Sequence, residues 1–139
     1  KRKERNTKTR GVLGGVPRSR PAMVKAYRIG EKAASAGFDW EQKEDVWAKV
    51  KEEVGEVEQE IVSADRDKLQ AEFGDLFFAL INAARLYGVD PEMVLERSNK
   101  KFIRRFNHIE KQADAAGKNF KDLTLDQMEE WWQQAKTEE

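Results

Sequence analysis

The 139-residue chain contains no cysteine, so it can supply neither a disulfide framework nor a zinc–thiolate centre. No run approaches the roughly 18 apolar residues of a membrane-spanning helix, and no signal-peptide pattern opens the chain, so the cytoplasm is the expected compartment. A glycine-rich phosphate loop is also missing. Gly11, Gly14 and Gly15 precede no strand–helix unit and lack the Lys-Ser/Thr pair. Net charge is absent as well: 26 Lys/Arg balance 26 Asp/Glu, which leaves no overall bias toward nucleic acid or an anionic membrane. Strand alternation never persists beyond a few residues, and no internal repeat is evident.

What remains is charge without sign, in helical order. Residues 1–10 carry six Lys/Arg against Glu4 alone. Residues 1–20 therefore resemble a basic, glycine-containing arm or linker, solvated in its first half. Residues 21–139 carry helix signals throughout. Pro21 suits a first helical turn, and the apolar run after it stops at Gly37. Phe38-Asp39-Trp40 reads as a connector whose aromatics plug the core. Further helices are expected from about Glu41 to Ala64, Asp67 to Tyr87 and Pro91 to Ala116, with Gly88 and Gly117 as stops. Thr124 and Gln127 form a capping-box signature for a short last helix reaching about Lys136. The fold class is all-α, a bundle of four main helices plus a short C-terminal one.

Two acidic couplets stand out, Glu52-Glu53-Val54-Gly55-Glu56 and Glu72-Phe73-Gly74-Asp75. Carboxylates three apart project from neighbouring points of one helix face. Glu53 lies only about 20° from the apolar arc of Val46, Val50, Val57 and Ile61, and Glu60 about 40°. Glu72 falls about 40° outside the stripe of Leu69, Phe73, Leu76 and Leu80. Acids at the edge of a buried stripe are costly unless a cation neutralises them, and oxygen-only ligands suit Mg²⁺ or Mn²⁺. Ordinary flanking glutamates on a surface helix are the competing explanation. On the fourth helix, with its stripe of Leu95, Ser98, Phe102, Phe106 and Ile109, Asn99 and Arg105 lie about 60° and Lys101 about 100° from the stripe's centre. Acids with a Lys and an Arg one turn apart are the parts of a metal–polyphosphate site.

With these residues in place, the chain resembles the MazG-type nucleoside triphosphate pyrophosphohydrolases, marked by a Glu-Glu-x-x-Glu helix followed by a Glu-x-x-Asp helix. The likeness extends to Gly15-Val16-Pro17, Gly37-Phe38-Asp39-Trp40, Asn82-Ala83-Ala84-Arg85, Ser98 through Phe106 and Met128 through Trp132. It is strongest to the C-terminal catalytic domain of two-domain bacterial members, which fits a chain opening at Lys1 rather than Met. The resemblance implies an α-helical bundle completed by homodimerisation. It also implies Mg²⁺-dependent cleavage of (deoxy)nucleoside triphosphates to monophosphate and pyrophosphate, and possession of an upstream second domain. Glu53, Glu56, Glu72 and Asp75 match the family's metal ligands. Lys101 and Arg105 match its phosphate-binding cations, and Trp132 and Lys136 match positions near the nucleotide. Glu52 or Glu53 is the candidate acceptor of the water's proton, and Asn99 a candidate substrate contact.

Three alternatives stay open. A base-selective pyrimidine deoxynucleotide pyrophosphatase of the same fold would share every motif. A non-catalytic helical interaction module would carry merely solvated acids. A di-iron bundle would want Glu-x-x-His pairs, and the only histidine, His108, follows Arg105 at that spacing. His108 is expected on the exposed polar side of its helix. Trp40 and Trp47 are expected to be packing residues, and Trp131 and Trp132 to face different ways. Aromatics outside the single stripes (Trp47, Phe77, Phe78, Tyr87) exceed what one small bundle can hide, which on physical grounds also favours a dimer.

Overall fold

The computed structural model describes residues 11–139; the basic run 1–10 lies outside them. The described residues form five α-helices and no strand, as expected: α1 (Ala22–Ser35), α2 (Lys43–Ser63), α3 (Arg66–Leu86), α4 (Pro91–Ala115) and α5 (Leu125–Thr137). Short 3-10 turns at Val12–Gly15 and Phe120–Asp122 were not anticipated. No helix among the described residues is long and apolar enough to cross a membrane.

Sequence punctuation sets the helix ends. Gly37, Gly88 and Gly117 all take positive φ, and the N–H of the next residue reaches back to Ala33, Ala84 and Ala113 respectively at 2.8–3.0 Å. This left-handed closure, which glycine adopts without a Cβ penalty, satisfies carbonyls that the helix leaves open. Between α2 and α3 the chain reverses with no glycine at all. Ala64 sits at φ 60°, and Asp65 then caps α3 by accepting from the Lys68 N–H at 3.2 Å. The expected Thr124 cap is also present, with the Gln127 N–H donating to its hydroxyl at 3.1 Å.

The chain divides into two compact units, one ending at Glu92 and the other spanning Met93–Glu139. In the first, α2 and α3 form a tight hairpin and α1 packs on α3. Its core is Val46 and Val50 of α2 against Ala79 and Ala83 of α3, flanked by Leu76 and Leu86. Val57, also on the expected arc, is buried, but Ile61 at its far end is 58% exposed. The stripe expected on α3 is rotated. Leu76 is partly buried, whereas Phe73 and Leu80 are exposed and the alanines 79 and 83 face the core. Small side chains let helix backbones approach closely, so the buried line follows alanine rather than the largest residues.

Gly30 makes the same point on α1, where an added Cβ would sit 2.9 Å from Asn82 Oδ1 and 3.0 Å from Arg85 Nε. Arg85 donates to Asn82 at 3.0 Å and clamps the connector through Asp39 at 2.7 Å. The Arg85 guanidinium holds the Asp39 carboxyl below its ordinary value, with the Trp40 N–H assisting. The connector is thus held by charge. Phe38 is 84% exposed and Trp40 and Trp47 are exposed too, so the aromatics do not plug this core.

In the second unit, Ile109 and Ala113 of α4 pack on Trp131 of α5, with Phe120, Leu123, Met128 and Trp132 around them. Of the expected α4 stripe, Ile109 is buried, whereas Leu95, Phe102 and Phe106 remain exposed even though Phe102 meets Trp132 and Phe106 meets Phe120.

Candidate metal centre

The hairpin explains how distant acids meet. Glu53 precedes the Ala64 reversal by 11 positions, and Asp75 follows Asp65 by 10. At about 1.5 Å rise per residue, both lie roughly 15 Å from the turn on neighbouring helices. Glu53, Glu72 and Asp75 each offer a carboxylate oxygen, and these oxygens lie within 4.8 Å of one another. Glu53 is buried at 8% exposure, Glu72 is half-buried and Asp75 is exposed, so the cluster runs from the packed interior to solvent.

The electrostatics of this cluster are unfavourable on their own. Burial pushes the Glu72 carboxyl above its ordinary value, and repulsion from Glu56, Asp75, Glu53 and Glu60 pushes it further. Solvated surface glutamates would not include a member as buried as Glu53. Among the described residues, Lys49 supplies a compensating cation. Lys49 Nζ lies 3.1 Å from Glu53 and 3.4 Å from Glu52. Those two carboxylates, Glu53 first, hold the Lys49 ammonium above its ordinary value. The sequence reading passed over Lys49, although its i,i+4 spacing to Glu53 was visible. It runs in the less favourable Lys-to-Glu order, which intrinsic helix stability does not explain.

The other expected site residues are placed less tightly. Glu56 is half-buried and bears on Glu72 through its charge, but lies outside the 4.8 Å group. Glu52 is exposed and paired with Lys49. Glu60 joins the repelling set while accepting from Ser63 Oγ at 2.8 Å. Gly55, inside the first couplet, has nothing within 4 Å of where a Cβ would sit, so it mediates no close helix approach within this chain.

In the second unit, Asn99, Lys101 and Lys136 are exposed. Arg105 is half-buried, with its guanidinium 5.2 Å from the Trp132 ring centroid and a bidentate pair to Glu139. Trp131 is buried while Trp132 packs on Phe102 with the rings tilted at 57°, so the two tryptophans do divide their roles. His108 departs from expectation. It is half-buried, and its Nε2 is shielded from solvent with no hydrogen-bond partner among the described residues.

The donor set fits a hard divalent cation: it is all oxygen, convergent, and carries more negative charge than Lys49 offsets. The protein-family model described as the MazG nucleotide pyrophosphohydrolase domain matches residues 41–110, which include both acidic couplets and Lys101 and Arg105. The chain belongs to this family. It is 42% identical over 130 residues to a nucleoside triphosphate pyrophosphohydrolase of Escherichia coli, covering 92% of the chain and 49% of that protein. It is 35% identical over 136 residues to a nucleoside triphosphate pyrophosphohydrolase/pyrophosphatase MazG of Thermotoga maritima, covering 98% and 52%. An uncharacterized protein of Bacillus subtilis is 44% identical over 140 residues, covering all of the chain and 29% of that protein. The chain thus spans about half the length of the first two relatives and less of the third.

Proposed function

We propose that this MazG-family chain hydrolyses (deoxy)nucleoside triphosphates to nucleoside monophosphate and pyrophosphate with broad base tolerance, using Mg²⁺, for which Mn²⁺ can substitute. The observation that carries the proposal is the meeting of Glu53, Glu72 and Asp75 within 4.8 Å on a hairpin that buries Glu53. The names of the Escherichia coli and Thermotoga maritima relatives agree with it.

Glu53, Glu56, Glu72 and Asp75 are the residues that would hold the cation. A divalent ion there supplies charge neutralisation for phosphate oxygens and acidifies water. The chain's own groups carry the rest. Glu53 is fixed by burial and by Lys49, so its carboxylate keeps one orientation rather than sampling several. Glu52, exposed beside Lys49, is the proposed acceptor of the water's proton. In the second unit, Lys101 and Arg105 are the proposed cations for phosphate oxygens, with Asn99, Trp132 and Lys136 as further substrate contacts. No nucleophilic side chain is required.

The chain is proposed to act as a homodimer within a longer, cytoplasmic protein. Exposed apolar side chains on α2 and α3, including Ile61, Val62, Phe77 (60% exposed) and Phe78, support the dimer as surface that self-association would cover. Pyrophosphate release, measured over a panel of eight nucleotides with and without Mg²⁺, tests the activity. Asp75→Ala and Glu56→Ala should each abolish turnover while the helical circular dichroism spectrum persists. Full activity in either variant refutes the assignment.

A further inference from the structure

Arg105 is unusually well held for a long surface cation. Its Nε donates to Glu139 Oε1 and its Nη2 to Oε2, both at 2.9 Å, so one edge of the guanidinium is fully engaged. Its Cζ lies over the Trp132 ring, 5.2 Å from the centroid, and Trp132 itself packs on Phe102 at 5.2 Å between ring centroids. The side chains of Arg105 and Glu139 are only 14% and 25% exposed, so water competes weakly for this pair. The Nη1 end of Arg105 has no acceptor among the described residues. Arg104 joins this pair, its Nη2 lying 2.9 Å from the same Glu139 Oε1. Two guanidinium groups thus share this one side-chain carboxylate.

We propose that Glu139, shared with Arg104, is a positioning residue that holds Arg105 with its Nη1 end presented to a phosphate oxygen of the substrate. This rests on the proposed role of Arg105 as a phosphate-binding cation. An arginine free to rotate would have to lose side-chain entropy on each binding event, whereas one held on its edge and face has lost it on folding. The bidentate geometry also dictates which edge remains for the ligand, a selection that lysine could not make.

Steady-state hydrolysis of a nucleoside triphosphate in saturating Mg²⁺ tests the idea. Glu139→Ala should raise KM about tenfold with kcat within about twofold, read well below a melting temperature that loss of the Arg105 pair will lower. Glu139→Gln, which keeps one acceptor oxygen on the same stem, should recover part of the loss. An unchanged KM in Glu139→Ala overturns the proposal. So does a lowered KM, which would mean that Glu139 competes with phosphate rather than orienting its partner. Arg105→Ala separates the two levels. If its KM is unchanged, the phosphate-binding role of Arg105 fails; if its KM rises while that of Glu139→Ala does not, only the positioning role fails.

Discussion

The close approach of α1 to α3 at Gly30 predicts that one substitution will have opposite effects at different helical glycines. Glycine to alanine in a helix interior is worth about 1 kcal/mol in favour of alanine, through backbone entropy. At Gly55 of α2 and Gly74 of α3 the new methyl meets nothing within 4 Å, so Gly55→Ala and Gly74→Ala should stabilise by about 0.5–1 kcal/mol. At Gly30 the methyl would lie 2.9 Å from Asn82 Oδ1 and 3.0 Å from Arg85 Nε, about half an ångström inside ordinary contact. Those two atoms are hydrogen-bonded to each other, and Arg85 also holds Asp39, so neither can yield without loosening the connector clamp. Overpacking of this kind costs about 1–3 kcal/mol, which offsets or exceeds the entropy gain. Urea denaturation of all three variants in metal-free buffer reads the difference directly. With a slope of about 1–3 kcal/mol per molar, the midpoint of Gly30→Ala should fall on the order of 1 M below those of the other two. A Gly30→Ala midpoint equal to that of Gly55→Ala would refute the packing argument, because the shared propensity gain cancels in the comparison.

Other perturbations follow from the same structure. Glu72→Gln should stabilise the metal-free protein against heat, since the ionised carboxyl is disfavoured there and its penalty grows as pH rises through its raised value. If the cluster binds Mg²⁺ as proposed, the same variant should forfeit the stabilisation that follows, about 2.7 kcal/mol at a cation concentration about 100 times Kd. Thr124→Ala removes the acceptor for the Gln127 N–H and should cost about 1 kcal/mol in chemical denaturation. Arg105, then Arg104, draw the Glu139 carboxyl down from 4.5 to about 2. The stabilisation from ionised Glu139 is therefore complete above its unfolded value and lost as pH falls through about 2, a titration that carboxyl NMR would follow.

The residues that sequence reasoning placed well are those whose role is local. Gly37, Gly88 and Gly117 end helices by their own backbone freedom, Thr124 caps by its own hydroxyl, and Glu53 lay beside an arc that proved buried at Val46, Val50 and Val57. Its failures are tertiary. A helical wheel weights side chains by size, so it chose Phe73 and Leu80 where close helix approach selected Ala79 and Ala83. It credited Phe38 with a core that Arg85 and Asp39 made unnecessary, because an ion pair between residues 46 apart leaves no periodic trace. Lys49 was missed for another reason: its spacing to Glu53 is common, and only the burial of Glu53 gives it meaning. Glu139 carried no signal, since its pairing with Arg105 depends on how α5 lies along α4.

Manganese, as an Mg²⁺ surrogate with strong anomalous scattering, addresses the central claim most directly. Crystals soaked in Mn²⁺ should show an anomalous peak among the carboxylates of Glu53, Glu56, Glu72 and Asp75, and that peak should vanish in Asp75→Ala. A well-ordered crystal with these four side chains in place and no peak between them would contradict the account.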